Sequence, residues 1–163
     1  MDETVKTRLI DALKKLDTVM LTTRGDDGTL HGRPMAVADA EQDGELWFVT
    51  GKSSEKTHEV KNDPRALVTG QQGGLYVTLN GSLDVIQDRA KIAALWKETW
   101  KAWFPEGKDD PNITLLRLRP ESGEYWDNTG AQGLKYVFEM VKAVVNGKVA
   151  EANDPKIHAK VSL

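Results

Sequence analysis

In the stretch LYVTLNGSLDVI, residues 75–86, the apolar residues Leu75, Val77, Leu79, Leu83 and Val85 alternate with Tyr76, Thr78, Asn80, Ser82 and Asp84. Successive side chains of a β-strand point to opposite faces, so this pattern predicts a strand with one buried face and one polar face. Gly81 interrupts the apolar series and predicts a bend in the strand. A strand of this kind requires neighbouring strands and a core to cover its apolar face.

Six further short segments have the β-branched and apolar composition of strands. These segments are TVMLTTR, TLHGRPMAVA, LWFVT, RALVTGQ, ITLLRLRP and GEYWD. Helical spacing of apolar residues predicts helices over residues 3–16, 54–62, 88–103 and 132–145. Because few helices separate the strands, the pattern favours an antiparallel barrel over a parallel sheet. The expected fold class is mainly β (α+β), with helices flanking the barrel.

The length and composition of the chain exclude several classes of protein. The 163 residues suit one domain, expected over residues 1–150, followed by a loose polar tail over residues 151–163. The net charge of −3 argues against a nucleic-acid binder, and the absence of cysteine excludes thiol chemistry and disulfides. We find no secretory signal and no apolar run long enough for a membrane span, so we expect a cytoplasmic protein.

The segment TGKSSEK, residues 50–56, resembles the end of a phosphate-binding P-loop. A P-loop requires a glycine five residues before Gly51, and that position is Leu46, inside a predicted strand. We therefore interpret the segment as a strand end, a turn and a helix cap supplied by Ser53 or Ser54. Whether its hydroxyl and lysine side chains bind a phosphate in another geometry remains open at this point.

Five tryptophans are a high number for this chain, and four of them lie in two segments of interest. Trp96 and Trp103 lie on the apolar face of the predicted helix 88–103, which favours packing in the core. Trp100 lies off that face and is a candidate for an interface. For Trp126, in the segment GEYWDN, core packing and a contact with a cofactor or a second subunit are both open.

Arg33 and Pro34 stand together inside a predicted strand. Proline has no N–H to donate, so this strand should lie at a sheet edge. A half-buried arginine needs an anionic partner, which can be a carboxylate or a phosphate. His31, His58 and His158 do not have the spacing of metal ligands, and no metal site is expected.

The order of these motifs resembles the pyridoxamine 5′-phosphate oxidase-like split-barrel family. The segment WFVTGKSSEKTHEVKNDPRALV is similar to the flavin-phosphate segment of that family, and the GRPM and GEYWDN strands resemble its general stress protein branch. The resemblance covers roughly residues 5–128. It implies a six-stranded split β-barrel and a homodimer that binds FMN, or FAD, between its subunits.

The resemblance also implies which residues contact the flavin. Arg33 and Lys56 would bind the phosphate, and Ser54 would donate a further hydrogen bond. The backbone of Arg33, Pro34, Met35, Ala36 and Val37 would run beside the isoalloxazine ring. Phe48, Val49 and Thr50 would line the neighbouring strand. Tyr76 would touch the ring, and Trp126 would approach from the partner subunit.

Two departures from the oxidases of the family limit the expected activity. Glu55 stands where they often have an arginine, and the C-terminal Arg-His-Arg segment that holds their substrate is absent. We therefore expect no oxidation of pyridoxamine 5′-phosphate. The leading hypothesis is a flavin-dependent oxidoreductase of unidentified small-molecule substrate, with no residue singled out as catalytic. The alternatives are a non-catalytic flavin-binding stress protein, or the same fold with F420 or haem.

Overall fold

The computed structural model describes residues 3–147 and 158–163 of the chain. Eight strands and four α-helices form the described part, together with two 3₁₀ helices at Glu98–Ala102 and Gly107–Asp109. The α-helices are α1 (Glu3–Leu13), α2 (Glu55–Asn62), α3 (Arg89–Leu95) and α4 (Gly130–Asn146). The strands are β1 (Thr18–Arg24), β2 (Leu30–Ala36), β3 (Asp39–Ala40), β4 (Leu46–Gly51), β5 (Arg65–Gln72), β6 (Leu75–Ile86), β7 (Ile113–Asp127) and β8 (His158–Ser162).

All strands pair antiparallel in one sheet of order β2-β1-β5-β6-β7-β4-β3, and β8 pairs with β7. The sheet curls into a half-barrel with flanking helices, which confirms the expected fold class. The structure has eight strands rather than six, because it adds the short β3 and the C-terminal β8. Strand β2 lies at the edge of the sheet path, as Pro34 predicted.

Strand β7 replaces the two separate strands that the sequence predicted, ITLLRLRP and GEYWD. Its register with β6 shifts between Asn80 and Gly81, so that Gly81 faces Pro120 and Glu121 has no opposite residue. This β-bulge accommodates Pro120, whose missing N–H would break a regular ladder. A Cβ on Gly81 would lie 2.2 Å from the carbonyl oxygen of Arg119, so this bulge requires glycine.

Two clusters of buried side chains hold the fold together. In the larger one, Leu9 and Leu13 of α1 pack against the inner face of the sheet, which includes the apolar residues of β6. Helix α1 ends at Leu13, three residues earlier than predicted, and Leu16 still joins this cluster. The smaller cluster packs α3 and the first 3₁₀ helix against the other side of β4 and β7, around Ile92 and Ile113.

The predicted helix over residues 88–103 is wrong in its second half. Helix α3 ends at Leu95, and the backbone of Trp96 leaves the helical conformation, with φ −53° and ψ 134°. The chain then re-enters a 3₁₀ helix, which rotates the tryptophans relative to a continuous helix. As a result Trp100 is buried, with 9% of its surface exposed, whereas Trp103 is 71% exposed. This is the reverse of the predicted roles of these two residues.

The C-terminal part of the chain differs from a loose polar tail. Residues His158–Ser162 form β8 on β7, and Val161 is buried in the larger cluster, so the prediction is wrong for this segment. Residues 151–157 lie outside the described part. The predicted helix 132–145 is confirmed within α4, but its apolar face is exposed, as shown by Leu134, Val137, Phe138, Val141, Val144 and Val145. Among the described residues, no helix is long and apolar enough to cross a membrane.

Candidate functional site

A groove of about 400 Å³ lies where β4 ends and α2 begins, and we call it the site groove. Six of the residues that the resemblance implied line it, namely Met35, Ala36, Val49, Thr50, Ser54 and Lys56. Six others complete the lining, namely Gly51, Ser53, Trp100, Trp103, Phe104 and Asn112. The groove therefore brings together parts of β2, β4, α2 and the first 3₁₀ helix.

A chain of hydroxyl groups fixes the start of α2 in the groove. Ser54 is the N-cap residue, and its Oγ lies 3.4 Å from the backbone N–H of Thr57, whose hydrogen bond it accepts. The same Oγ lies 2.8 Å from Thr57 Oγ1 and 3.3 Å from Thr50 Oγ1. Thr57 Oγ1 in turn donates to the carbonyl oxygen of Gly51, at 2.9 Å. The predicted strand end and helix cap are thus confirmed.

The first backbone N–H groups of α2 are free to bind a ligand. Within residues 3–147 and 158–163, nothing accepts a hydrogen bond from the N–H of Glu55 or of Lys56. Such groups carry the positive end of the helix dipole and favour an anion. Glu55, which stands where the oxidases of the resembled family often have an arginine, has an exposed side chain.

Lys56 is half-buried and forms no ion pair with any residue in the described ranges. Burial lowers the pKa of its ammonium, and the nearby positive charge of Arg33 lowers it further. A bound anion would oppose both effects, because it would stabilise the charged form. Lys56 is also the sole titratable side chain among the described lining residues of the groove.

Aromatic side chains form the opposite wall of the groove. Trp100 and Phe104 are buried in the smaller cluster, where Val49 also packs, and Trp96 meets Trp100 edge to face at 5.8 Å between ring centroids. Trp103 presents its ring to the groove and to solvent. The sequence interpretation missed this wall, because it placed Trp103 in the core and Trp100 at an interface.

Asn112 was also missed, and it holds the turn that follows β4. Its carbonyl oxygen accepts the N–H of Lys52 at 2.8 Å, and its side-chain oxygen accepts the hydroxyl of Ser53 at 3.4 Å. A Cβ on Gly51 would lie 2.9 Å from the Asn112 side chain, so glycine permits this close approach. The segment KDDPNIT gave no signal for this role beyond a turn.

Arg33 lies beside the site groove and has a carboxylate partner in this structure. Its Nη2 donates to Oε2 of the buried Glu59 at 3.0 Å, and its Nη1 donates to Thr23 Oγ1. Of the two partners that the sequence left open, the structure therefore shows the carboxylate. The guanidinium carries five N–H donors, so these contacts leave others available for a phosphate.

The remaining predicted residues lie outside the lining of the groove. Phe48 is fully buried in the larger cluster, so only its backbone can face a ligand. Pro34 is exposed on the edge strand, and Val37 packs against the larger cluster. Tyr76 and Trp126 face each other across β6 and β7. The structure does not bring this pair to the groove of the same chain.

A second, larger groove of about 570 Å³ lies between α1 and β7. Its lining includes acidic and basic side chains together, such as Glu3, Arg8, Asp11 and Lys15. This mixture gives no net preference for an anion, whereas the described lining of the site groove includes one lysine and no acidic side chain. The site groove is therefore the better candidate for a nucleotide.

Comparisons with known proteins agree with this fold. The family model described as pyridoxamine 5′-phosphate oxidase like matches residues 4–151. General stress protein 26 of Bacillus subtilis (strain 168) is 28% identical over 81 residues, which are 47% of this chain and 57% of that protein. The match thus spans little more than half the length of this relative.

Two solved structures resemble the chain over most of its length. The structure of a general stress protein 26 from Jannaschia sp. CCS1 has 28% identity and a TM-score of 0.72, and the match covers 95% of this chain and 96% of that one. The general stress FMN/FAD binding protein of Xanthomonas citri has 32% identity and a TM-score of 0.65, with 79% and 92% covered. The chain therefore belongs to the pyridoxamine 5′-phosphate oxidase-like family and is similar to its general stress proteins.

Proposed function

We propose that the chain binds FMN in the site groove and acts as a flavin-dependent oxidoreductase on a small molecule, in a stress-related role. The observation that carries the proposal is the position of Lys56. This half-buried cation has no ionic partner among the described residues and stands at the N-terminus of α2, opposite an aromatic wall. A phosphate dianion and a planar apolar ring are the chemical complements of these two sides.

The donors at this end of the groove fit a phosphate. They are the Lys56 ammonium, the Ser54 hydroxyl and the free N–H groups of Glu55 and Lys56. Charge-assisted hydrogen bonds of this kind are stronger than neutral ones. FMN, when bound, supplies the hydride or electron transfer chemistry, and the lining residues bind and orient it. The lack of other titratable groups in the described lining is consistent with such a division of roles.

The relatives add support for a flavin. The Xanthomonas citri protein, 32% identical to this chain, is named an FMN/FAD binding protein. FAD would also suit the groove, since the exposed ring of Trp103 offers a surface on which an adenine could stack. FMN remains the leading cofactor because the donors of the groove account for one terminal phosphate.

Two alternatives keep the same fold. A non-catalytic protein that buffers flavin would bind FMN equally well, and anaerobic reduction of the bound flavin by NADH or NADPH separates it from an enzyme. F420 carries a phosphate as well, and the mass of the released cofactor identifies it. Haem is the weaker alternative, because the described lining of the groove includes no histidine or cysteine as an axial ligand.

The decisive experiment compares FMN with riboflavin, which lacks the phosphate. We expect FMN to bind about ten- to hundred-fold more tightly for each charge-assisted contact that its phosphate makes. The binding is followed by quenching of flavin fluorescence, with the spectrum and mass of any co-purified cofactor recorded first. Equal affinities for the two flavins would overturn the phosphate site. Binding of neither flavin would overturn the proposed function.

We further propose that the protein is a homodimer with the flavin between its subunits, held in part by α4. Seven exposed apolar residues of this helix form a stripe: Leu134, Val137, Phe138, Met140, Val141, Val144 and Val145. A buried side chain of this size removes roughly 100 Å² from water, so the stripe offers about 700 Å², close to the ~800 Å² per partner of a standard interface.

The charge of α4 favours a protein partner over a lipid surface. The helix carries only Lys135, Glu139 and Lys142 as charged residues, whereas helices that lie on membranes have a polar face rich in lysine and arginine. A second copy of the chain would cover both stripes by one symmetric contact, as most homodimers do.

A further inference from the structure

Glu59 of α2 is a buried carboxylate that three other side chains hold from two neighbouring strands. Only 2% of its surface is exposed. Its Oε2 accepts hydrogen bonds from Thr23 of β1 and, at 3.0 Å, from Arg33 of β2, and its Oε1 pairs with Nδ1 of His31. Both carboxylate oxygens are therefore occupied, and the side chain has a single arrangement.

The environment keeps this carboxylate charged. Burial raises the pKa of Glu59, but the hydrogen bonds from Thr23, His31 and Arg33 outweigh burial and lower the pKa below its usual value. An ionised Glu59 binds the guanidinium of Arg33 more firmly than a neutral acid would. Arg33 also donates a hydrogen bond through Nη1 to the hydroxyl of Thr23. Glu59 and Thr23 therefore fix the same guanidinium.

This cluster adjoins the phosphate-binding end of the site groove. Glu59 follows Lys56 by three residues, so the two side chains lie about one turn apart on α2. Arg33 is close enough that its charge lowers the pKa of Lys56. Two cations thus converge beside the free N–H groups of α2, and Glu59 determines where one of them points.

A metal ion is a poor occupant of the same cluster. His31, Glu55 and Glu59 could offer three ligand atoms that lie within 4.8 Å of one another. The guanidinium of Arg33, however, lies 3.0 Å from the Glu59 carboxylate and would repel a cation there. The cluster therefore suits an anion that binds Arg33, with the Glu59 carboxylate holding the guanidinium in place.

We propose that Glu59 is a positioning residue that sets the Arg33 guanidinium for the phosphate of the bound flavin. This inference rests on the proposed function. A free arginine side chain loses rotamer freedom when it binds, and a guanidinium that is already fixed by Glu59 and Thr23 does not. Glu59 contributes to affinity through Arg33 alone and need not touch the flavin.

The test is the ratio of riboflavin to FMN dissociation constants, which isolates the contribution of the phosphate. We expect Glu59→Gln to lower this ratio about tenfold while riboflavin affinity stays the same, because Gln keeps the shape but loses the charge. In an Arg33→Ala background, Glu59→Gln should produce no further loss. Asp26→Asn is the matched control. Asp26 contacts His58 on the exposed side of α2, so this substitution should leave the ratio unchanged.

Several outcomes would overturn the proposal. The first is an unchanged ratio of dissociation constants in Glu59→Gln. The second is an increased ratio, which would mean that Glu59 competes with the phosphate for Arg33. The third is a loss in this ratio that is equally large in the wild-type and Arg33→Ala backgrounds. If Glu59→Gln does not fold, Thr23→Val removes one of the two groups that fix Arg33 and should lower the ratio by a smaller factor; an unchanged ratio there overturns the proposal too. A wild-type protein without preference for FMN would instead contradict the proposed function.

Discussion

Trp126 of β7 stacks face to face on His158 of β8, with ring centroids 5.0 Å apart and ring planes within 7° of parallel. His158 also bonds to Glu124 through its Nε2, at 2.6 Å from the carboxylate. The tryptophan that the sequence marked as a candidate for a cofactor or subunit contact is therefore covered by an imidazole of the same chain. Any partner that reaches Trp126 must accommodate β8 beside it.

The first prediction concerns this stacked pair. His158→Ala should lower the free energy of unfolding by about 1–2 kcal/mol, because it removes the ring contact and the bond to Glu124. Lys160→Ala, an exposed position on the same strand, should change it by less than about 0.5 kcal/mol. Urea denaturation measures both. Equal losses in the two variants would contradict a specific role for the stack.

The second prediction separates two lysines of the segment TGKSSEK. Lys56→Ala should weaken FMN about ten- to hundred-fold, since the phosphate loses a charge-assisted bond, and should leave riboflavin unaffected. Lys52→Ala should have little effect on either flavin, because the side chain of Lys52 is exposed and does not line the site groove. Fluorescence titration of both variants decides the matter. A greater sensitivity at Lys52 would show that the site has been placed on the wrong lysine.

The third prediction distinguishes the two tryptophans of the aromatic wall. Trp100→Ala should destabilise the protein by about 3–5 kcal/mol, because it leaves a cavity in the smaller cluster. Trp103→Ala should barely change stability but should weaken FMN about two- to tenfold, through loss of a ring contact. Thermal unfolding and flavin titration, made on both variants, give the comparison. Unchanged FMN binding by the Trp103 variant would remove that residue from the site.

The fourth prediction concerns pH. The hydrogen bond to Glu59 raises the pKa of His31 despite partial burial, and the charges of Glu59, Glu55 and Asp27 add to the effect. The stability that His31 contributes is therefore complete below its usual pKa of about 6.5 and is lost as the pH rises through the folded value. Glu59 behaves oppositely, because its lowered pKa gives stability above about pH 4.3 that is lost towards acid.

Unfolding measured from pH 5 to 9 tests this expectation. Wild-type stability should fall between about pH 6.5 and the more alkaline end of the range, and His31→Gln should show a shallower dependence. His58→Gln is the control, because His58 pairs with Asp26 on the exposed surface and away from Glu59. Parallel pH curves for the wild type and His31→Gln would contradict a raised pKa for His31.

The fifth prediction tests the stripe on α4. Phe138→Gln should weaken self-association at least about tenfold, because it replaces the largest apolar side chain of the stripe by a polar one. Lys142→Gln, one turn further along the helix, should leave self-association unchanged. Sedimentation at several protein concentrations measures the dissociation constants. A wild-type protein that stays monomeric while it retains FMN would refute both the dimer and this use of α4.

The sequence predicted the parts of the fold that depend on local patterns. The alternation in β6, the edge position of β2 at Pro34 and the cap of α2 by Ser54 are all confirmed. Each of these three features follows from side-chain periodicity or from the hydrogen bonds of one residue. None of them requires knowledge of residues that are distant in the sequence. The end of β4 and the start of α2, which line one end of the site groove, fall within this class.

The errors arose where tertiary contacts override a local pattern. Helical spacing over residues 88–103 was real, but the burial of Trp100 against β4 and β7 breaks the helix after Leu95. The predicted strand ITLLRLRP ended at Pro120, yet the bulge opposite Gly81 lets β7 continue past it. The polar C-terminal residues pair with β7, and no property of their own sequence identifies that partner.

Strand β7 pairs with β4, β6 and β8, and this has a consequence for how the protein is made. During synthesis, β1, β2, β5 and β6 can assemble as a four-stranded sheet as soon as they leave the ribosome, because they are neighbours in the sheet and all four precede β7 in the chain. Strand β4 then has only the two-residue β3 as a ladder partner. The wall of the site groove that β4 supplies therefore forms only after β7 has emerged, and until then the nascent chain exposes the open edge of β6 to aggregation and to chaperones.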